Sequence, residues 1–163
     1  MISSSTIYTE EVLNKFISYY LKNSKSMIVI YVCSLIILAS SIVMFCLNSI
    51  FEGVLYLLCA LFFGSYGLII RFIMKKNNKK VQNNVDNYEF DVDNFNITSF
   101  NSKGEQIMTM KVYYRDLYKV AKSGEYAYLF INKATAFIVS QNNFENKEDF
   151  DKVINIATSQ IKS

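Results

Sequence analysis

A chain of 163 residues with a net charge of +3, 52% hydrophobic residues and no histidine, proline or tryptophan has room for a membrane hairpin and one small domain, but not for two large ones. Lacking histidine, it lacks the commonest general base and the commonest metal ligand together. The charge is uneven: residues 1–80 hold 8 Lys/Arg against 3 Asp/Glu and residues 81–163 hold 9 against 11, so the second half offers no basic face for a nucleic acid.

The first residues, Met1-Ile2-Ser3-Ser4-Ser5, have neither the positive start nor the apolar core of a cleaved signal peptide, and the mature chain is expected to begin there. Thr9 followed by Glu10 and Glu11 reads as a helix start, because a Thr oxygen caps an orphan N–H and acids favour the positive end of the helix dipole. Val12, Leu13, Phe16, Ile17, Tyr20 and Leu21 then recur at helical spacing, so residues 1–26 are read as an N-terminal amphipathic helix. Its apolar face is suited either to a membrane interface or to packing on the rest of the chain, and amphipathicity alone does not choose between them.

Residues 27–74 form the centre of the sequence. Met27 to Leu47 has no Asp, Glu, Lys or Arg in 21 positions, which at ~1.5 Å per residue is about the thickness of a bilayer core. A second run, residues 54–74, is interrupted only by Arg71, and the intervening residues 48–53 carry the single charge of Glu52. The expectation is a two-helix transmembrane hairpin. Ser34, Ala39, Ser40 and Ser41 on one span, and Gly53, Ala60, Gly64, Ser65 and Gly67 on or beside the other, are small enough for close helix approach. Cys33, Cys46 and Cys59 lie within these runs without CxxC spacing, and act there as small hydrophobes rather than as a zinc or disulfide framework.

Lys15, Lys22 and Lys25 precede the first span, and Arg71, Lys75, Lys76, Lys79 and Lys80 close the second. Under the positive-inside rule both termini are cytoplasmic, in a two-span protein of the cell membrane. The basic linker, residues 75–84, is read first as a topology signal. It is read second as a membrane-surface site for anionic lipid, at about 1 kcal/mol per basic residue.

From residue 85 the pattern changes to alternation. Tyr88, Phe90 and Val92 alternate with Glu89, Asp91 and Asp93, giving a strand with one wet face. Further strands are expected over 95–100, 106–114, 117–121, 126–131 and 136–139, with Gly104 and Gly124 in turns between them. Asn146 is placed to cap a final helix, where Phe150, Val153, Ile154, Ala157 and Ile161 share one face. Residues 85–163 are thus an α+β domain: an antiparallel sheet or small barrel of about six or seven strands closed by a helix, the plan of pleckstrin-homology-like domains.

The run Tyr113-Tyr114-Arg115-Asp116-Leu117-Tyr118-Lys119-Val120, then Tyr126-Ala127-Tyr128-Leu129-Phe130-Ile131, Ala136-Phe137-Ile138-Val139, Phe144 and a helix through Phe150, resembles the C-terminal domain of the YcxB-like bacterial membrane proteins. That resemblance implies two transmembrane helices followed by a small β domain, and implies little about activity. Many members place a proline and a basic residue after the strand at 136–139, where this chain has Ser140-Gln141.

No catalytic residue, metal ligand or cofactor is expected. Residues two apart on a strand are about 6.6 Å apart along it, too splayed for Glu89, Asp91 and Asp93 to form a compact calcium loop. Ser140 has no nucleophile elbow, and the five glycines form no phosphate-cradling loop. Tyr113, Arg115, Asp116, Tyr118, Tyr126 and Tyr128 are the candidate interaction surface, although cross-strand aromatic pairs are also ordinary sheet stabilisers. The expected partners are the bilayer and either a second copy or another protein, with no nucleic acid and no small-molecule substrate. Lipid sensing is the alternative function. Transport by an oligomer ranks third, because neither span has an Asp, Glu, Lys or Arg at its centre.

Overall fold

The structure, a computed structural model, describes residues 2–161. It divides into two compact units, Met1–Phe16 with Lys79–Ser163, and Ile17–Asn78.

In the first unit, seven strands form two antiparallel sheets. One has the order β1 (Ile2–Ile7), β2 (Val85–Phe90), β3 (Asn94–Phe100), β4 (Gln106–Tyr113); the other has β5 (Lys119–Ser123), β6 (Tyr126–Phe130), β7 (Ala136–Ser140). The expected combination of antiparallel sheet and helix is present, but the strands do not close into a barrel. Between β4 and β5 the chain makes one 3-10 turn, Tyr114–Asp116, and the sheets stay separate there.

Strand β1 corrects the reading of residues 1–26 as an amphipathic helix, which the structure confines to Glu10–Asn23 within that range. Its Ile-Ser-Ser-Ser-Thr-Ile sequence has little apolar alternation, and it is held by its register on β2, from Ile2 opposite Phe90 to Ile7 opposite Val85. It also lies beside β7. Across the four strands the covered face grades along its length: Ile2, Phe90, Phe95 and Val112 form an apolar row, Ser4, Tyr88, Ile97 and Met110 a mixed one, and Thr6, Asp86, Ser99 and Met108 a largely polar one.

The core is aromatic. Phe90 stacks on Phe144 at 5.9 Å, Phe144 meets Phe150 edge-on at 5.6 Å, and Phe95 lies 5.5 Å from Tyr114. The final helix, α4 (Lys147–Gln160), buries Phe150, Val153 and Ala157, the stripe read from its periodicity. Asn146 takes the N-cap position without a side-chain cap bond. Val92 does not continue the face of Tyr88 and Phe90. The strand ends at Phe90, and Asp91 Oδ1 accepts the Val92 N–H at 2.9 Å in a turn that leaves Val92 exposed.

Helix α1 (Glu10–Asn23) starts where Thr9 Oγ1 accepts the Val12 N–H at 3.3 Å, the expected cap. Its first turns belong to the sheet unit, with Val12, Leu13 and Phe16 buried.

The second unit is a helical hairpin of α2 (Lys25–Cys46) and α3 (Ile50–Asn78). The turn is shorter than residues 48–53. Asn48 adopts a φ of +57°, Asn48 N–H donates to Phe45 O and Ser49 N–H to Met44 O, a Schellman closure with asparagine in the left-handed position. Two of the small residues serve as hydrogen-bond donors across the pair: Ser34 Oγ donates to Ala60 O at 2.9 Å and Ser41 Oγ to Gly53 O at 2.7 Å. Gly67 lies against the Tyr31 hydroxyl so closely that a Cβ would overlap it. Both helices are long and apolar enough to cross a membrane, and their outward residues are bare: Phe51 is 79% and Phe72 72% exposed. A core helix of a water-soluble fold would bury such side chains.

Candidate interaction surface

The segment Lys111–Lys119 shows how the sheet domain presents polar and aromatic groups. Tyr114 and Leu117 point inward and pin the 3-10 turn. Tyr114 N–H donates to Asp93 O at 3.2 Å, and its hydroxyl donates to Asp91 O at 3.2 Å. Burial, with the charge of Asp91 added, pushes the Tyr114 phenol well above its ordinary value, so the hydroxyl remains a donor. With these two residues fixed, Arg115 and Asp116 are turned to solvent, and their own ion pair is loose at 4.0 Å.

Tyr113 is exposed and carries two cations over its ring, the Arg115 guanidinium at 5.1 Å and the Lys111 ammonium at 5.4 Å from the centroid. Tyr118 is exposed at the entry to β5, while its backbone N–H already donates to Phe130 O. Tyr113, Arg115, Asp116 and Tyr118 therefore share one exposed stretch of chain.

Tyr126 and Tyr128 have a different place. Strand β6 is buried along its whole length, and its tyrosines seat α1. Phe16 meets Tyr128 at 5.4 Å and Phe130 at 6.2 Å. Lys15 lies 4.9 Å over the Tyr126 ring and reaches Glu125 and Glu11 at 2.9 Å each. The hydrogen bonds to Glu125 and Glu11 push the Lys15 ammonium up, and the same Lys15 bond, followed by one from Asn142, holds Glu125 below its usual range. The two residues join the sheet domain's packing rather than the Tyr113 surface.

Sequence reasoning missed one buried polar cluster. Tyr8 Oη donates to Asp86 Oδ2 at 2.6 Å, and Tyr88 Oη lies 3.3 Å from that oxygen, 3.3 Å from Tyr8 Oη and 3.1 Å from Ile138 O. Burial first, and the Asp86 charge after it, hold Tyr8 far above its ordinary value. Burial likewise dominates the rise at Tyr88. Both phenols keep their protons and act as donors, which gives the buried Asp86 carboxylate its partners. The Thr6 hydroxyl beside Asp86 on β1 is buried without a partner. A tyrosine after a Ser/Thr run offered no pattern from which this cluster could be read.

Arg71, Lys75 and Lys76 lie on the last turns of α3, which extends through the start of the expected linker, and Lys79 and Lys80 occupy the turn after it. All five are exposed.

Comparison of the chain with protein-family models, with curated proteins and with solved structures returns no match.

Proposed function

We propose that this is a non-enzymatic integral membrane protein whose sheet domain, of pleckstrin-homology-like plan as in the YcxB-like family it resembles, mediates protein interaction or self-assembly at the cytoplasmic face of the cell membrane. The observation that carries the reading is the exposed stretch around Tyr113, Arg115, Asp116 and Tyr118. It takes no part in the domain's own core, on a chain with two bare apolar helices long enough to anchor it. The pairing of β1 with β2 supports the topology independently of the charges. Ile2–Ile7 and Val85–Phe90 flank the hairpin in sequence and sit in one sheet, which supports a reading in which both ends of the hairpin emerge on the same side of a membrane.

Proximity labelling from a C-terminal tag tests this in the intact chain. The expected result is reproducible enrichment of a second, differently tagged copy or of one cytoplasmic or membrane partner, lost when Tyr113→Ala is combined with Arg115→Ala. Recovery of no partner, with a monomer after mild extraction, overturns it. A second reading, recognition of anionic lipid, is favoured by the run of α3 through Arg71, Lys75 and Lys76, which holds a basic end on an apolar helix. Thermal stabilisation of the whole protein by an anionic lipid over a zwitterionic one, abolished by Gln at 75, 76, 79 and 80, is its signature.

A further inference from the structure

We infer that one end of the sheet β1-β2-β3-β4, where Ile7, Val85, Phe100 and Ile107 face outward, rests in the interfacial layer of the bilayer. The inference goes beyond the protein-interaction reading above and rests on the membrane anchor in it.

The two faces of this sheet grade in opposite directions. On the covered face the row of Ile2, Phe90, Phe95 and Val112 is apolar, and the row of Thr6, Asp86 and Ser99 at the other end is polar. On the outer face the same register sets Ser3, Glu89, Asn96 and Lys111 in one row, Ser5, Asn87, Thr98 and Thr109 in the next, and Ile7, Val85 and Phe100 in the last. Ile107 stands beside that last row, at the irregularity where Phe100 meets β4. Ile7 is 51% and Ile107 57% exposed, and Val85 and Phe100 are half-buried. At this end, then, the fold holds oxygen inside and hydrocarbon outside. Water around a sheet favours the reverse. The hairpin has the same inversion, with Phe51 and Phe72 bare and the hydroxyls of Ser34 and Ser41 turned to the facing helix.

Three observations select the bilayer as what covers the row. This is the end from which the chain runs to the hairpin: just beyond the row Tyr8 N–H donates to Asn84 O and Asn83 N–H to Tyr8 O, and only residues 79–84 join α3 to Val85, a tether of at most ~25 Å. Lysines lie beyond the row, Lys79 and Lys80 in the tether and Lys103 in the β3–β4 turn, all exposed, while Glu105 of that turn accepts from Asn101 Nδ2 at 2.7 Å. Apolar side chains rimmed by lysine match the boundary between acyl chains and phosphates. Finally, the row is one side chain deep with polar and charged rows behind it, whereas a stable protein interface takes about 20–30 residues a side.

Spin labels test this on the full chain in vesicles of phosphatidylcholine and phosphatidylglycerol, with Cys33, Cys46 and Cys59 replaced by Ala. Ile7→Cys, Ile107→Cys and Glu89→Cys place labels on the sheet and Leu58→Cys one on the hairpin, all at exposed positions. Collisions with oxygen, which concentrates in hydrocarbon, should exceed those with a water-soluble nickel chelate at 7, 107 and 58, and the ratio should reverse at 89. Ile107→Asp should lower the oxygen-to-nickel ratio at position 7 several-fold with circular dichroism unchanged; a ratio that does not move overturns the row as one contact. Nickel-accessible labels at 7 and 107, with the label at 58 in lipid, overturn the inference and leave the anchor standing. A label at 58 that is also in water overturns both. Labels at 7 and 107 shielded from both reagents show that protein covers the row, a second copy where dilution in lipid frees them, and overturn the bilayer as its cover.

Discussion

The hairpin and the sheet domain place their side chains by opposite rules. In α2 and α3 the large residues face outward and the contact is made by Gly53, Ala60, Gly67 and Ser41, with hydroxyls of Ser34 and Ser41 bonded to the backbone of the facing helix. In the sheet domain the large residues face inward and Phe90, Phe95, Tyr114, Phe144 and Phe150 fill the centre. On the proposed reading of the hairpin as a membrane anchor, the difference is one of solvent. Where lipid replaces water there is no gain from hiding a leucine, and close backbone approach holds the helices together; where water surrounds the fold, aromatic burial dominates.

Substitutions that separate the two rules should break one unit and spare the other. The largest effect is expected from Phe95→Ala, which removes a fully buried ring and should cost about 3–5 kcal/mol, unfolding the sheet domain while the helical signal of the hairpin persists; denaturant titration in detergent measures it. Next, Tyr8→Phe takes from the buried Asp86 its 2.6 Å donor and should cost about 1–3 kcal/mol in the same titration, with no change in the hairpin. Gly67→Val should cost a comparable 1–3 kcal/mol by overpacking, but in the hairpin, because its branches meet the Tyr31 ring; cysteine cross-linking between α2 and α3 should weaken while sheet-domain stability stays the same. The smallest effect is that of Ser41→Ala, about 0.6 kcal/mol for one interhelical hydrogen bond, read as a shift in the midpoint of hairpin unfolding.

The sheet domain also has an alkaline limit. Tyr8, Tyr88 and Tyr114 have folded-state values raised above that of an unfolded tyrosine, ~10. Their contribution is therefore complete below about pH 10 and is lost as pH rises beyond it. Ultraviolet titration should show these three ionising late, together with loss of sheet structure, and Tyr88→Phe should remove part of that steepness.

Uncharged length made the hairpin readable, and periodicity made α4 readable down to Phe150, Val153 and Ala157. The cap at Thr9 was readable because it depends on neighbours in sequence. Strand β1 was not, since Ser3, Ser4 and Ser5 have no strand pattern of their own and are ordered by β2 some 80 residues away. Tyr113 and Tyr128 look alike in sequence, each beside alternating apolar residues. One ends an edge strand and the other lies in a strand covered on both faces, a distinction that only the packing of α1 and the sheet order draws.

The register of β1 on β2 has a consequence for synthesis. Ile2–Ile7 leaves the ribosome before its partner strand, which ends at Phe90, so at ~5–20 residues per second the edge waits roughly 4–17 s for its place. During that interval both apolar helices are made. A strand built mainly of serine and threonine has little to bury while it waits, and so is suited to remain in water, unattached, until the returning chain supplies its neighbour.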